Sequence, residues 1–249
     1  MKIQVTAACR TGCVRHHNED MVLVGPHFVR DDEIRIDEVS LDDTDRYLIA
    51  VADGMGGHRC GEVASTEVLH NLQFYFNDMP SGMTTAEFNE KIVEWLAAIN
   101  FKINSRGKSI EKYKDMGTTL VAFVYYNDHY FWMNCGDSRL YRLRDGRLVQ
   151  LTHDHSLRAL TGDNSHPNVI TNCVGGGCSH SFIDIVEIPE GVLDGDRYLL
   201  CSDGLNDMLT DEKIEKLLLT KCTANGLCNA AILAGGIDNV STCIIDMMK

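Results

Sequence analysis

The chain has 249 residues, of which 44% are hydrophobic and 24% charged, and a formal net charge of −13. It is long enough to bury a sizeable core, ordinary in composition for a folded protein, and too acidic to favour nucleic acid or an anionic membrane surface, both polyanions, as default partners. Its 10 cysteines include no C-x-x-C pair of a zinc or thioredoxin-like site, the opening MKIQVTAACRTG lacks the apolar centre of a signal peptide, and no apolar run approaches the roughly 18 residues needed to span a bilayer. The expectation is a cytoplasmic chain with reduced thiols.

In chain order, strands are predicted at Ile3–Ala7, Met21–Val24 and Tyr47–Ala52, then helices at Gly61–Phe76 and Thr84–Ser105. In the second helix Phe88, Ile92, Trp95, Leu96, Ile99 and Ile103 recur at three- and four-residue spacing, which makes one apolar face. Strands follow at Thr118–Tyr126, Tyr130–Cys135, Arg139–Arg144, Leu148–Leu151, Phe182–Glu187 and Tyr198–Ser202. Helices at Thr210–Thr220 and Asn225–Ala234 and a strand at Thr242–Met247 complete the pattern. The run DHYFWMNCGDSRLYRLRDGRLVQLT reads as a meander, with Asp-Gly as its tight turn. The acidic segment Gly25–Asp45 reads as an exposed hairpin or loop. Blocks of strands and helices, rather than strict alternation, favour an α+β fold of antiparallel sheets with segregated helix layers, in a single domain over 1–249.

Acidic residues gather where the apolar strands begin or end. Tyr47–Ala52 runs into Asp53-Gly54, Tyr130–Cys135 into Gly136-Asp137, and Tyr198–Ser202 into Asp203-Gly204. Asp238 precedes the last strand, and Asn18-Glu19-Asp20 precedes the second. Any one of these is an ordinary turn residue. If the strands end at one edge, however, their carboxylates crowd together, and clustered carboxylates need cations. Oxygen ligands without His or Cys favour magnesium or manganese over zinc or copper. A phosphate cradle at DGMGG fits less well: Arg59 stands where the dinucleotide fingerprint needs glycine, and no Gly-Lys-Ser/Thr follows. Arg15, three residues before Asn18, is either a clamp for a phosphate dianion or an ion-pair partner of Asp20.

Six stretches, TGCVRHHNED, VADGMGGHRCGEVAS, MGTTLVAF, NCGDSRLYRLRDGRLVQLTHDHS, LLCSDGLND and DNVSTCIID, resemble, in order, the motifs of the metal-dependent serine/threonine phosphatases called protein phosphatase 2C. DGMGGH resembles the bacterial branch in particular. The resemblance implies a four-layer α-β-β-α sandwich. It also implies Mn2+ or Mg2+ as cofactor, with two ions and a weaker third. Asp53 would bridge two ions with the Gly54 carbonyl on one of them, and Asp203 and Asp238 would be direct ligands. Glu19 and Asp20 would hold bound waters or the arginine, Arg15 would bind phosphate, and Asp137 and Asp207 would serve the third site. For those last two the bland alternatives are turn bonds from Ser138 and Arg139 to Asp137, and capping of the Thr210 helix by Asp207.

The implied reaction is hydrolysis of phosphoserine or phosphothreonine by a water activated between two metals. Its partners would be phosphoproteins and an opposing kinase, with no nucleic acid or membrane and a monomeric chain. Cys9 and Arg15 have the C-x5-R spacing of cysteine phosphatases but lack the glycine-rich cradle between them. A pseudophosphatase would lack metal aspartates, and a cation buffer would show a D-x-D-x-D-G loop; neither pattern is present. Two departures from the family stand out. Met55 occupies the place of a histidine proposed as general acid in animal members, and the nearby His58 is not equivalent to it. The flap from Leu157 to His180 is short and glycine-rich, which leaves few contacts for substrate.

Overall fold

The structure, a computed structural model, describes residues 1–56, 60–162, 169–188 and 191–249. β1 (Lys2–Arg10) sends Ile3, Val5, Ala7 and Cys9 to one face and Ala8 to the other. β2 (Met21–Val24), the short β3 (His27–Val29), β4 (Glu33–Ser40) and β5 (Arg46–Ala52) follow. Period-two geometry splits the residues of β2 and β5: Met21, Leu23, Leu48, Ala50 and Ala52 enter one core, and Val22, Val24, Ile49 and Val51 enter another. β6 (Gly54–Met55) precedes α1 (Cys60–Asp78) and α2 (Thr85–Ser109). α2 opens on a capping box in which Thr84 and Glu87 each accept the other's backbone N–H.

β7 (Gly117–Thr118), β8 (Leu120–Tyr126), β9 (His129–Cys135), β10 (Arg139–Arg144) and β11 (Arg147–Gln150) come next. The short α3 (Leu157–Thr161) leads on to β12 (Val174–Gly175), β13 (Asp184–Glu187) and β14 (Arg197–Cys201). α4 (Asp203–Asn206), α5 (Asp211–Leu219), α6 (Ala224–Leu233) and β15 (Val240–Met248) complete the chain.

Two six-stranded sheets form, in the orders β11-β10-β14-β15-β1-β4 and β13-β9-β8-β5-β2-β3, with antiparallel pairing throughout. Three apolar clusters define the layers. One joins α1 and α2 to the second sheet through residues such as Leu69, Phe88, Ile92 and Phe131. One lies between the sheets, with Val5, Phe123, Tyr198 and Ile245. The third joins the first sheet to α5 and α6 through Tyr141, Ile214 and Leu227. The result is the four-layer α-β-β-α sandwich. A three-stranded sheet, β12-β7-β6, sits apart from both.

Two expectations need correction. Gly25–Asp45 is not a free hairpin or loop: β3 joins the second sheet against β2, while β4 edges the first sheet against β1. The expected meander is split as well. β9 pairs with β8 and β13 in one sheet, and β10 pairs with β14 and β11 in the other, so residues 136–138 carry the chain between sheets. Local alternation is the same in both arrangements, so it does not reveal the change of sheet. The β10–β11 hairpin does form, with Asp145 and Gly146 at φ 52 and 77, the left-handed pair that a two-residue turn requires.

Asp196 locks the start of β14. Its buried carboxylate accepts Arg144 Nε at 2.7 Å, Arg144 Nη2 at 2.6 Å and the Leu193 N–H at 2.8 Å. Burial alone would raise its pKa, but these donors outweigh burial and hold it below the ordinary carboxylate value. A depressed carboxylate stabilises the fold above its unfolded pKa, and that stability is lost as pH falls toward the folded value. Asp196→Asn should therefore lower stability at neutral pH and flatten the acid limb below about pH 4, as read by urea unfolding across a pH series.

Candidate active site

The strand registers bring the predicted acids to one end of the sandwich. In the second sheet Met21 pairs with Ala52, so Asp20 and Asp53 flank the end of the same ladder. In the first sheet Arg10 pairs with Val240 and Cys201 with Thr242, which places Asp238 and Asp203 at the corresponding end. Cys135 pairs with Leu120, so Asp137 emerges beside Thr119. The burial of Asp53 leaves its charge opposed by Asp20, Asp203, Asp137 and Asp238.

The backbone at Asp53 is clamped. Its N–H donates to Thr119 Oγ1 at 3.0 Å, and its carbonyl accepts the Thr118 hydroxyl and the Thr119 N–H, both at 2.9 Å. The glycine after it has a reason other than a tight turn. Gly54 has no left-handed φ; its Cα instead packs against Gly61 at the start of α1, where a Cβ on either residue would collide with the other's backbone. Asn239 ties two loops together, accepting the Glu19 N–H at 2.8 Å and donating to the carbonyls of Thr11 and His17 at 2.9 Å.

Electrostatically the site is poised for cations. Burial, then mutual repulsion, pushes Asp53 and Asp203 well above the usual carboxylate range and Asp137 up to about 7. Asp20, fully buried, is raised in the same sense, although the Ser202 hydroxyl donates to its Oδ2 at 2.7 Å. Burial also raises Glu19 and Asp207. One oxygen each of Asp20, Asp137 and Asp203 is buried with no hydrogen-bond partner. Buried, orphaned carboxylate oxygens are the donor set of a hard divalent ion. Among the described residues no group of three His, Cys, Asp or Glu side chains converges as a complete ion site.

A cavity of about 350 Å³ opens here, lined in part by Arg15, Glu19, Asp53, Gly54, Asp203 and Asp238. Arg15 lies at its rim and donates to Asp238 Oδ2 at 2.6 Å, so its ion-pair partner is Asp238 rather than Asp20. Asp20 is fully buried and does not line the cavity. Asp207 stands one turn beyond Asp203, its N–H bonded to the Asp203 carbonyl at 2.8 Å, and its charge is felt at Asp137. Among the described residues neither alternative contact is seen: Arg139 binds Asp154 at 2.6 Å, the Ser138 hydroxyl meets that of Thr119 at 2.7 Å, and the N-cap position of α5, Thr210, carries no side-chain capping bond. Cys9 is buried and its thiol is pushed up to about 12, so it is no nucleophile at neutral pH.

Met55 lines the cavity, while His58 and Arg59 lie outside the described residues. The flap reaches the site, because Ile170 also lines the cavity and pairs with Ser156, the cap of α3. The sequence reading did not single out Ile170, Thr118, Thr119, Ser202 or Asn239. Ser202 and Asn239 stand next to Asp203 and Asp238, an adjacency that could have found them, whereas Thr118 and Thr119 are far from Asp53 in sequence and carry no such signal.

The profile described as "Protein phosphatase 2C" matches residues 24–226. The serine/threonine protein phosphatase PstP of Mycobacterium tuberculosis is 33% identical over 260 residues, covering 99% of this chain and 45% of that protein, so the chain spans less than half of that relative. The serine/threonine phosphatase stp of Listeria monocytogenes is 31% identical over 250 residues, covering 94% of this chain and 92% of that protein. Among solved structures, the Streptococcus agalactiae (S. agalactiae) serine/threonine phosphatase superposes with a TM-score of 0.84 at 25% identity, covering 98% of this chain and 99% of that one. The catalytic domain of PstP in complex with 2 manganese ions superposes with a TM-score of 0.74 at 30% identity, covering 100% of both chains. The chain belongs to the protein phosphatase 2C family of metal-dependent phosphatases, in its bacterial branch.

The electrostatics predict opposed effects on stability. Asp203→Asn removes one repelling charge, so in chelator the variant should melt no lower than the wild type. Manganese at about a hundred times its dissociation constant should stabilise the wild type by about 2.7 kcal/mol, and most of that gain should vanish in the variant. Equal manganese shifts in scanning calorimetry would separate Asp203 from ion binding.

Proposed function

We propose that this chain hydrolyses phosphoserine and phosphothreonine esters of proteins in the cytoplasm, opposing a serine/threonine kinase, with Mn2+ or Mg2+ as cofactor. The observation that carries the reading is the convergence of Asp53, Asp203 and Asp238, from both sheets, on one cavity with Arg15 at its rim. Asp53, the Gly54 carbonyl, Asp203 and Asp238 would hold two ions, with Glu19 and Asp20 acting through water and Asp137 with Asp207 serving a weaker third. Two such ions, when bound, supply positive charge and lower the pKa of a water in the cleft.

The chain's own residues supply position and charge. Thr118 and Thr119 fix the Asp53 backbone, so its carboxylate faces the cavity without reorganising. Arg15 spends one N–H on Asp238 and offers its remaining donors to the non-bridging oxygens of a phosphate dianion. Ile170 of the flap puts an apolar wall beside the cleft, which helps to exclude bulk water. With Met55 in the histidine's place, no described side chain beside Asp53 is an evident acid for the leaving serine or threonine oxygen, and that proton is assigned to solvent.

Turnover of p-nitrophenyl phosphate and of a phosphothreonine peptide should require manganese or magnesium and stop in excess chelator; full activity in chelator would overturn the reading. Arg15→Ala should cost about 2–4 kcal/mol in kcat/KM for the peptide. An unchanged kcat/KM would leave Arg15 as an ion-pair partner of Asp238 alone. Asp137→Ala should keep the two main ions, by calorimetry, while lowering turnover and moving its metal dependence to higher concentration.

A further inference from the structure

Two thiols stand beside this site without a part in it. Cys173 and Cys178 are free, and their sulfur atoms are 3.4 Å apart across the loop CVGGGC. The loop is held in that shape. Asn100 and Asn104, one turn apart on α2, both donate to the Cys178 carbonyl, at 3.0 and 2.8 Å. The same two side chains accept the N–H groups of Gly175 at 2.8 Å and Gly177 at 3.1 Å. Ser181 donates to the Cys173 carbonyl. Gly175 has φ +80, and a Cβ there would run into Ile103 and lie 2.6 Å from the Met116 carbonyl. The two sulfurs differ in access: Cys173 is buried, which pushes its thiol up, whereas Cys178 is partly exposed.

The loop is wired to the candidate catalytic strand. Val174 and Gly175 pair with Thr118 and Gly117, which in turn pair with Gly54 and Met55. The Gly176 N–H donates to the Met116 carbonyl at 2.7 Å, and the Thr118 hydroxyl holds the Asp53 carbonyl. A change in the loop therefore reaches Asp53 through one small sheet.

We propose that Cys173 and Cys178 are a redox modification site, forming a reversible disulfide that controls the β12-β7-β6 sheet and, through it, Asp53. With hydrogen peroxide as oxidant, the Cys178 sulfur attacks a peroxide oxygen; the O–O bond breaks, water leaves, and Cys178 becomes a sulfenic acid. The Cys173 sulfur then attacks the Cys178 sulfur; the S–S bond forms, the S–O bond breaks, and the departing hydroxide leaves as water with the Cys173 proton. Two thiols and one peroxide give one disulfide and two waters. A dithiol reverses the change. A reducing compartment keeps such a pair open until an oxidant arrives, as sensing disulfides in reduced proteins require.

The site is read by mass on the full chain, stepwise with peroxide, followed by alkylation and trypsin. Residues 159–197, between cleavage sites at Arg158 and Arg197, contain Cys173 and Cys178 and no other cysteine. The expected result is the loss of two hydrogens from this one peptide, with neither cysteine alkylated, reversed by dithiothreitol. Peptides recovered with both cysteines alkylated, or with Cys178 over-oxidised beside an alkylated Cys173, would overturn the disulfide. The second arm rests on the phosphatase reading: p-nitrophenyl phosphate turnover with manganese should fall about two- to thirtyfold on oxidation, the range of coupling through packed networks. It should recover with dithiothreitol. Cys178→Ser and, separately, Cys173→Ala should abolish both effects. A disulfide formed with turnover unchanged would overturn control of the site. Reduced protein with no turnover would count against the phosphatase reading instead, and the mass arm would still decide the disulfide.

Discussion

Carboxylates crowded beside one another at the ends of buried strands are the constraint on which this structure turns. Burial and mutual repulsion both disfavour charge on Asp53, Asp137 and Asp203, and each would gain by moving apart or into solvent. None can. Asp53 follows β5, which is buried on both faces and paired with β2 and β8. Asp203 follows β14, paired with β10 and β15 across the sheet. To relax the acids would mean breaking apolar cores on both sides of each strand, and burial of side chains such as Leu48, Ile49, Leu199 and Leu200, at about 1.5–3 kcal/mol each, outweighs the repulsion. The sandwich thus holds carboxylates where a proton or a bound cation relieves their charge, and acids already placed for a cation are the kind of preorganisation that electrostatic catalysis needs.

The acids themselves were legible because they punctuate apolar strands. RYLIAVADG and RYLLCSDG each show a doubly buried strand ending in a carboxylate, and that juncture survives without any knowledge of the fold. The helices under the second sheet were legible for a similar reason, since the face of α2 has a clean helical period. What could not be read was which sheet a strand enters. β9 and β10 alternate as neighbours in a meander would, yet the three residues between them cross from one sheet to the other. β4 carries five charged or polar residues in EIRIDEVS, because it is an edge strand with one face in solvent, and its pattern is that of a loop.

The supporting residues escaped for a different reason. Thr118, Thr119 and Asn239 act through backbone groups of residues distant in sequence, such as Asp53 and Thr11, and hydrogen bonds of that kind leave no period or spacing behind. Gly54 shows how a correct observation can carry the wrong cause. A glycine after an aspartate suggests a sharp turn, but here it is demanded by the approach of Gly61, the first turn of a helix packed against the strand end. Gly54 and Gly61 therefore report on packing between β6 and α1 as much as on the site.

Arg15 gives the arrangement its internal logic. Its guanidinium lines the cavity and is bound to the carboxylate of Asp238, one of the acids assigned to metal on the proposed reading. A cation at Asp238 would satisfy that carboxylate and leave more of the guanidinium for an anion, and an anion at Arg15 would in turn leave Asp238 freer for a cation. By linkage the two must favour each other to the same degree. On the proposed reading, the site therefore avoids the costly state of a phosphate bound without metal: the arginine that would hold it is engaged with the acid until the acid has a better partner.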